Sequence, residues 1–239
     1  MTELKALGGR WARGEVLPPV LAGVALGMAA FAVDLVPEAV GRFLVPAFSS
    51  GFAWGVVALA VSCYAPTLRS ALVAGVGTLA LATLTYYGLV ASLSRQWLSG
   101  SGPTPSPDGL SSVTRASAFW LAGALSGGLV LGCLAHVVRV GTARNASIAL
   151  GVAFGLLTSE AAYAIFHVIF IWVGPVDSFV WARLGAAAVQ LLLAAAVAFF
   201  ALRLRRPPVS LWVFLVTATV STAVSAASWH LIESVRMTL

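Results

Sequence analysis

Seven stretches of the chain are apolar almost from end to end, separated by short polar or basic interruptions: 17–36, 47–65, 70–93, 116–138, 146–173, 180–202 and 210–232. Each reaches the roughly 17–25 residues that a helix needs to cross a bilayer core. The pattern predicts an all-α, polytopic integral membrane protein, a bundle of seven transmembrane helices forming a single domain over residues 1–239. The longest connection, 94–115, contains G-S-G-P-T-P-S-P-D-G, and Pro and Gly at that density predict an exposed flexible loop. Residues 1–19 read as a cytoplasmic lead-in to the first span, since no small-residue cleavage site follows them.

The fifth stretch departs from the pattern. It reads A-S-I-A-L-G-V-A-F-G-L-L-T-S-E-A-A-Y-A-I-F-H-V-I-F-I-W-V, with Glu160 near its middle. At 1.5 Å per residue the acid lies roughly 18–20 Å from either end of the span, deep in hydrocarbon. A carboxyl group there is costly unless it faces a protein interior, a water-filled cavity or a partner. Glu160, Tyr163 and His167 follow an i, i+3, i+7 spacing and share one helix face, so the other helices are expected to cover that face. The plainer alternative is a protonated acid acting as interhelical glue.

Composition agrees with the apolar pattern. Hydrophobic residues make up 60% of the chain and charged residues only 9%, against about 25% in soluble domains. The net charge of +6 is no nucleic-acid footprint, because the basic residues sit at helix ends, where they set topology. Nine fall on the N-terminal side of the membrane (Lys5, Arg10, Arg13, Arg69, Arg139, Arg144, Arg203, Arg205, Arg206) and five on the other (Arg42, Arg95, Arg115, Arg183, Arg236). This bias predicts a multi-pass protein of the cell membrane, N-terminus cytoplasmic and C-terminus outside. Cys63 and Cys133 each lie inside an apolar stretch and form neither a metal spacing nor a disulfide framework. No Walker-type or dinucleotide-binding glycine loop and no H-E-x-x-H motif occurs, so no cofactor and no metal are expected.

On this topology the acids collect toward the outer half. Asp34, Glu38, Asp108, Asp177 and Glu233 lie there, while Glu3 and Glu15 lie on the inner side. Asp34, between F-A-V and L-V-P, is the second candidate for a working carboxylate. Ordinary interfacial positions suffice for Glu38 and Glu233. Aromatic residues are skewed the same way: an interfacial belt explains Trp97, Trp172 and Trp212, but Trp54, Tyr86, Tyr87 and Tyr163 lie deeper. Trp229, near the end of the seventh span, completes a candidate lining that also takes in His167.

Glycines recur four residues apart at Gly23/Gly27, Gly123/Gly127, Gly128/Gly132 and Gly151/Gly155, a spacing that lets helix backbones approach closely in lipid. The run G-V-A-L-G-M at 23–28 is matched by G-V-A-F-G-L at 151–156. S-G-F-A-W at 50–54 is matched in the same order by D-S-F-V-W at 177–181. These matches suggest two parallel three-helix units joined by the fourth span, a 3+1+3 arrangement in which Glu160 and Asp34 could meet near a pseudo-axis.

Through S-G-F-A-W, the T-Y-Y of residues 85–87 and S-E-A-A-Y at 159–163, the chain resembles a small actinobacterial multi-spanning membrane family of unknown function. In length, span number and use of intramembrane acids it also resembles, in architecture alone, the seven-helix membrane terpene cyclases. That resemblance implies protonation-initiated cyclisation of a lipophilic prenyl substrate. The chain offers the parts: Glu160 and Asp34 as acid and base, with Trp54, Tyr86, Tyr87, Tyr163, His167 and Trp229 as substrate lining. An acid in apolar surroundings keeps its proton and can donate it, and aromatic faces stabilise a carbocation by roughly 0.5–2 kcal/mol per contact. No Lys or Arg lies mid-span, which argues against chemistry on a diphosphate. The expected partners are the bilayer and a lipophilic small molecule. The alternative is a small-solute transporter or substrate-binding subunit using the same carboxylates for a proton or cation, and a third reading is a structural subunit with no site. A polar cavity open to either side would favour transport; an apolar pocket entered from lipid would favour the cyclase.

Overall fold

The computed structural model describes residues 13–37, 40–41, 44–45, 48–93, 107–204 and 209–236, all of it helical or connecting structure. Among the described residues seven helices are bounded: α1 Arg13–Asp34, α2 Gly51–Tyr64, α3 Leu68–Leu93, α4 Pro107–Val140, α5 Ala143–Phe170, α6 Ser178–Leu204 and α7 Leu211–Arg236. Six of them, all but α2, are long and apolar enough to cross a membrane.

Two sequence expectations change here. The second apolar stretch is a helix, but with 14 residues it reaches only about 21 Å, short of a hydrocarbon core of about 30 Å. Ser50 ends it early, because its side chain accepts a hydrogen bond from the Ala53 amide and caps the first turn. The expected loop 94–115 is helical from Pro107 onward, and 94–106 lie outside the described residues. Proline reads as a breaker in sequence, yet at the first position of a helix its fixed φ is already helical and its missing N–H is not needed.

The packing has a hub. α5 touches α2, α4, α6 and α7, and α3 touches α1, α2 and α4. The central cluster draws Phe52 and Leu59 from α2, Leu79 from α3, Leu131 from α4 and Leu157 from α5. Over the most apolar part of each helix, 61% of α5 is buried but only 11% of α7, so α7 presents most of its surface to lipid.

Close approach depends on the glycines. A methyl group at Gly23 would stand 2.6 Å from the Thr78 carbonyl oxygen of α3, and one at Gly132 would stand 2.8 Å from the Leu72 Cα. At Gly151 it would stand 2.7 Å from the Thr217 hydroxyl of α7, and at Gly155 it would overlap Ser221. Without a hydrophobic driving force between helices in lipid, such backbone-to-backbone contact is what holds them. Thr158 and Thr222 add a hydroxyl–hydroxyl bond of 3.0 Å across the same α5–α7 seam. Three of the four glycine pairs seen in the sequence thus lie at helix crossings. The exception is Gly123/Gly127: nothing lies within 4 Å of the first, and the second makes only an ordinary contact with Leu79.

Gly155→Ala is expected to lower stability by about 1–3 kcal/mol through overpacking at the α5–α7 crossing. Gly123→Ala, with open space around it, should cost nothing measurable. Thermal unfolding of the two variants in detergent checks the contrast, and equal losses would contradict it.

Candidate functional site

Glu160 lies ten residues before the end of α5. Its Oε2 atom is buried. A methyl group on Gly51 would stand 3.6 Å from that oxygen and 3.8 Å from the Trp229 ring, so carboxyl and indole converge on the first turn of α2. The first amides of any helix lack intrahelical acceptors, and the helix dipole makes that end positive. The intramembrane acid is therefore placed where a negative or hydrogen-bonding oxygen is best received. Gly51 leaves the room, and α2 starts four residues later than its apolar stretch. The helix beside it, α3, runs on for seven residues beyond Tyr86, the ring that meets the first turn of α2.

The second acid reaches the same turn from the other side. The Tyr86 hydroxyl donates to Asp34 Oδ2 at 2.6 Å. The Tyr86 ring meets Trp54 edge-on at 6.4 Å between centroids and Tyr87 at 5.0 Å. Trp54 sits in the first turn of α2, and its Nε1 donates to the Phe48 carbonyl at 3.1 Å. Asp34 and Glu160 thus flank the N-terminal turn of α2, each with its own aromatic neighbours.

Beyond Glu160 the arc continues along α5 and α7. The Tyr163 hydroxyl lies 3.2 Å from His230 Nδ1. The Tyr163 ring is 5.9 Å from His167 and 6.0 Å from His230, and His167 is 6.5 Å from Trp172. His167 Nδ1 is buried with no hydrogen-bond partner among the described residues. Tyr163 itself is buried, whereas His230 is exposed. All eight residues singled out from sequence fall on this one arc: Asp34, Tyr86, Tyr87, Trp54, Glu160, Trp229, Tyr163 and His167. Glu38 lies outside the described residues, as does the side chain of Glu233.

A groove of about 910 Å³ runs between α5 and α7, on the outer side of their seam. Its walls are apolar: Phe154, Phe166, Ile171, Phe214 and Leu215, over a floor of alanines. Tyr163 and His230 supply its polar end, and no Lys, Arg, Asp or Glu lines it. Glu160 is not part of the lining; it lies behind Tyr163, toward α2. Sequence reasoning found Tyr163 but missed the groove. Phe154 and Phe214 look like generic apolar residues until the glycine crossing places them edge to face, 5.8 Å apart. In the sequence His230 stands three residues before Glu233 and reads as a hydrogen-bonded packing residue rather than as lining.

No metal-holding group of three or more His, Cys, Asp or Glu side chains occurs among the described residues. What the arrangement can do chemically is proton transfer: a carboxyl at a helix terminus, a tyrosine–carboxylate pair and a tyrosine–histidine pair, set among aromatic faces.

A double-mutant cycle of Tyr86→Phe and Asp34→Asn should show a coupling of about 1–2 kcal/mol, the range for a hydrogen bond to a charged group that water partly reaches. Additive losses in unfolding experiments would contradict the pair.

Comparison of the chain with protein-family models, with curated proteins and with solved structures gives no match in any of the three, so neither resemblance drawn from the sequence gains a relative.

Proposed function

We propose that the protein is an integral membrane enzyme that cyclises a lipophilic prenyl substrate by proton transfer. The carrying observation is the position of Glu160: its carboxyl stands against the first turn of α2, beside the Trp229 ring. Glu160 donates a proton to the substrate, the resulting carbocation is stabilised by the faces of Trp54, Trp229 and Tyr86, and ring closure follows. The final proton leaves to the Tyr86 hydroxyl as that group passes its own proton to Asp34, to which it is hydrogen-bonded. Loss of one proton and gain of one make the reaction an isomerisation, and proton exchange between the two sites restores the enzyme. Tyr87, Tyr163 and His167 extend the lining.

The groove supports a substrate that arrives from lipid rather than from water, because its walls are apolar and it opens between two helices. The same feature weighs against transport of a hydrophilic solute by this route. The resemblance to membrane terpene cyclases drawn from the sequence suggests this chemistry. α1 crosses α3 at Gly23 and Gly27, and α5 crosses α7 at Gly151 and Gly155, which supports a reading of two parallel units. An N-inside, C-outside orientation in the plasma membrane would put the arc in the outer half of the bilayer.

Glu160→Gln should lower turnover of prenyl substrates in proteoliposomes by about a hundredfold or more, the usual weight of a general acid. Its thermal stability should match the parent's within about 1 kcal/mol, since the amide keeps the shape. Products are read by mass spectrometry, and full activity in the variant would remove the reading.

A further inference from the structure

The groove between α5 and α7 has a direction. At its inner end Phe154 and Phe214 meet edge to face and close it with hydrocarbon. At its outer end Tyr163 and His230 are hydrogen-bonded to one another. His230 follows Phe214 by 16 helical steps, about 24 Å of α7, a length suited to one extended chain lying along the helices. The floor is built of small residues, Ala162, Ala218, Ala223, Ala226 and Ala227, which leave room for methyl branches beneath aromatic walls.

The polar groups in the groove decide what such a chain can carry. The Thr222 hydroxyl is engaged with Thr158, and the Thr219 hydroxyl donates to the Leu215 carbonyl. In the tautomer whose Nδ1 accepts from the Tyr163 hydroxyl, the other ring nitrogen of the exposed His230 bears a hydrogen. That is one neutral donor, suited to one acceptor oxygen. A diphosphate would need Lys or Arg, and none lines the groove.

The geometry points to a ligand site for a single isoprenoid chain that carries a neutral hydroxyl or carbonyl oxygen, held at His230 with the tail running inward to Phe154 and Phe214. This rests on the prenyl chemistry proposed above and deepens it, because the oxygen-bearing end then lies at Tyr163, one helical turn along α5 from Glu160. His230 is a positioning residue in this arrangement.

The test is binding, measured on the full chain in phosphatidylcholine nanodiscs by displacement of a fluorescent prenyl probe. Farnesol, farnesyl diphosphate and hexadecanol are the competitors. Farnesol is expected to displace the probe at least tenfold better than the diphosphate or the unbranched alcohol. His230→Phe should weaken farnesol by roughly three- to tenfold, the weight of one hydrogen bond. Ala227→Trp, which fills the floor, should abolish displacement. Equal or better displacement by the diphosphate or by hexadecanol on the parent protein would overturn the assignment, as would an unchanged farnesol affinity in His230→Phe. Turnover separates this claim from the preceding one. Selective binding with activity intact in Glu160→Gln leaves the groove standing and removes the acid chemistry; loss of activity in Glu160→Gln without farnesol selectivity does the reverse.

Discussion

A carboxyl group buried among apolar helices is placed by what stands next to it, and in this bundle the buried oxygen of Glu160 stands next to a helix end. Glu160 stands against Gly51 at the capped start of α2. Much of the architecture can be understood from that contact. α2 presents its first turn to α5 part-way along that helix, and it is only 14 residues long. The residue facing the acid must be small, and it is glycine. α5 must be enclosed on several sides, and it is the most buried of the candidate spans.

The same turn of α2 organises the other acid. Asp34 is held by Tyr86, and Tyr86 leans on Trp54 one turn along from Gly51. The two carboxyl groups lie near one helix turn, each beside aromatic rings, and the proposed proton transfer would run between them. In a low-dielectric interior each such interaction counts for more than at a surface.

Much of this was legible in the sequence, for identifiable reasons. The apolar runs were long enough to define the helices, and the one acid interrupting the fifth run was conspicuous against 9% charged residues. Glycines four apart announced three of the helix crossings, since close approach in lipid requires small residues at that interval. The fourth pair, Gly123/Gly127, misled because spacing cannot reveal whether a partner helix lies opposite. The short second span was hidden because Ala47 and Phe48 continue its hydrophobicity, whereas its boundary is set by a single capping serine, Ser50. The helical turns from Pro107 were hidden by residue types that mark loops and helix starts alike. The groove was invisible, since it exists only where α5 and α7 cross at Gly151 and Gly155, and no linear pattern encodes the space left beside a crossing.

The most direct measurement is infrared spectroscopy of the Glu160 carboxyl group, assigned by the bands lost in Glu160→Gln. If the acid is enclosed between the first turn of α2 and Trp229, those bands shift in Gly51→Ala and in Trp229→Phe but not in Val220→Ala, a change on the exposed face of α7. Bands that ignore both neighbours would place the carboxyl elsewhere and contradict the account.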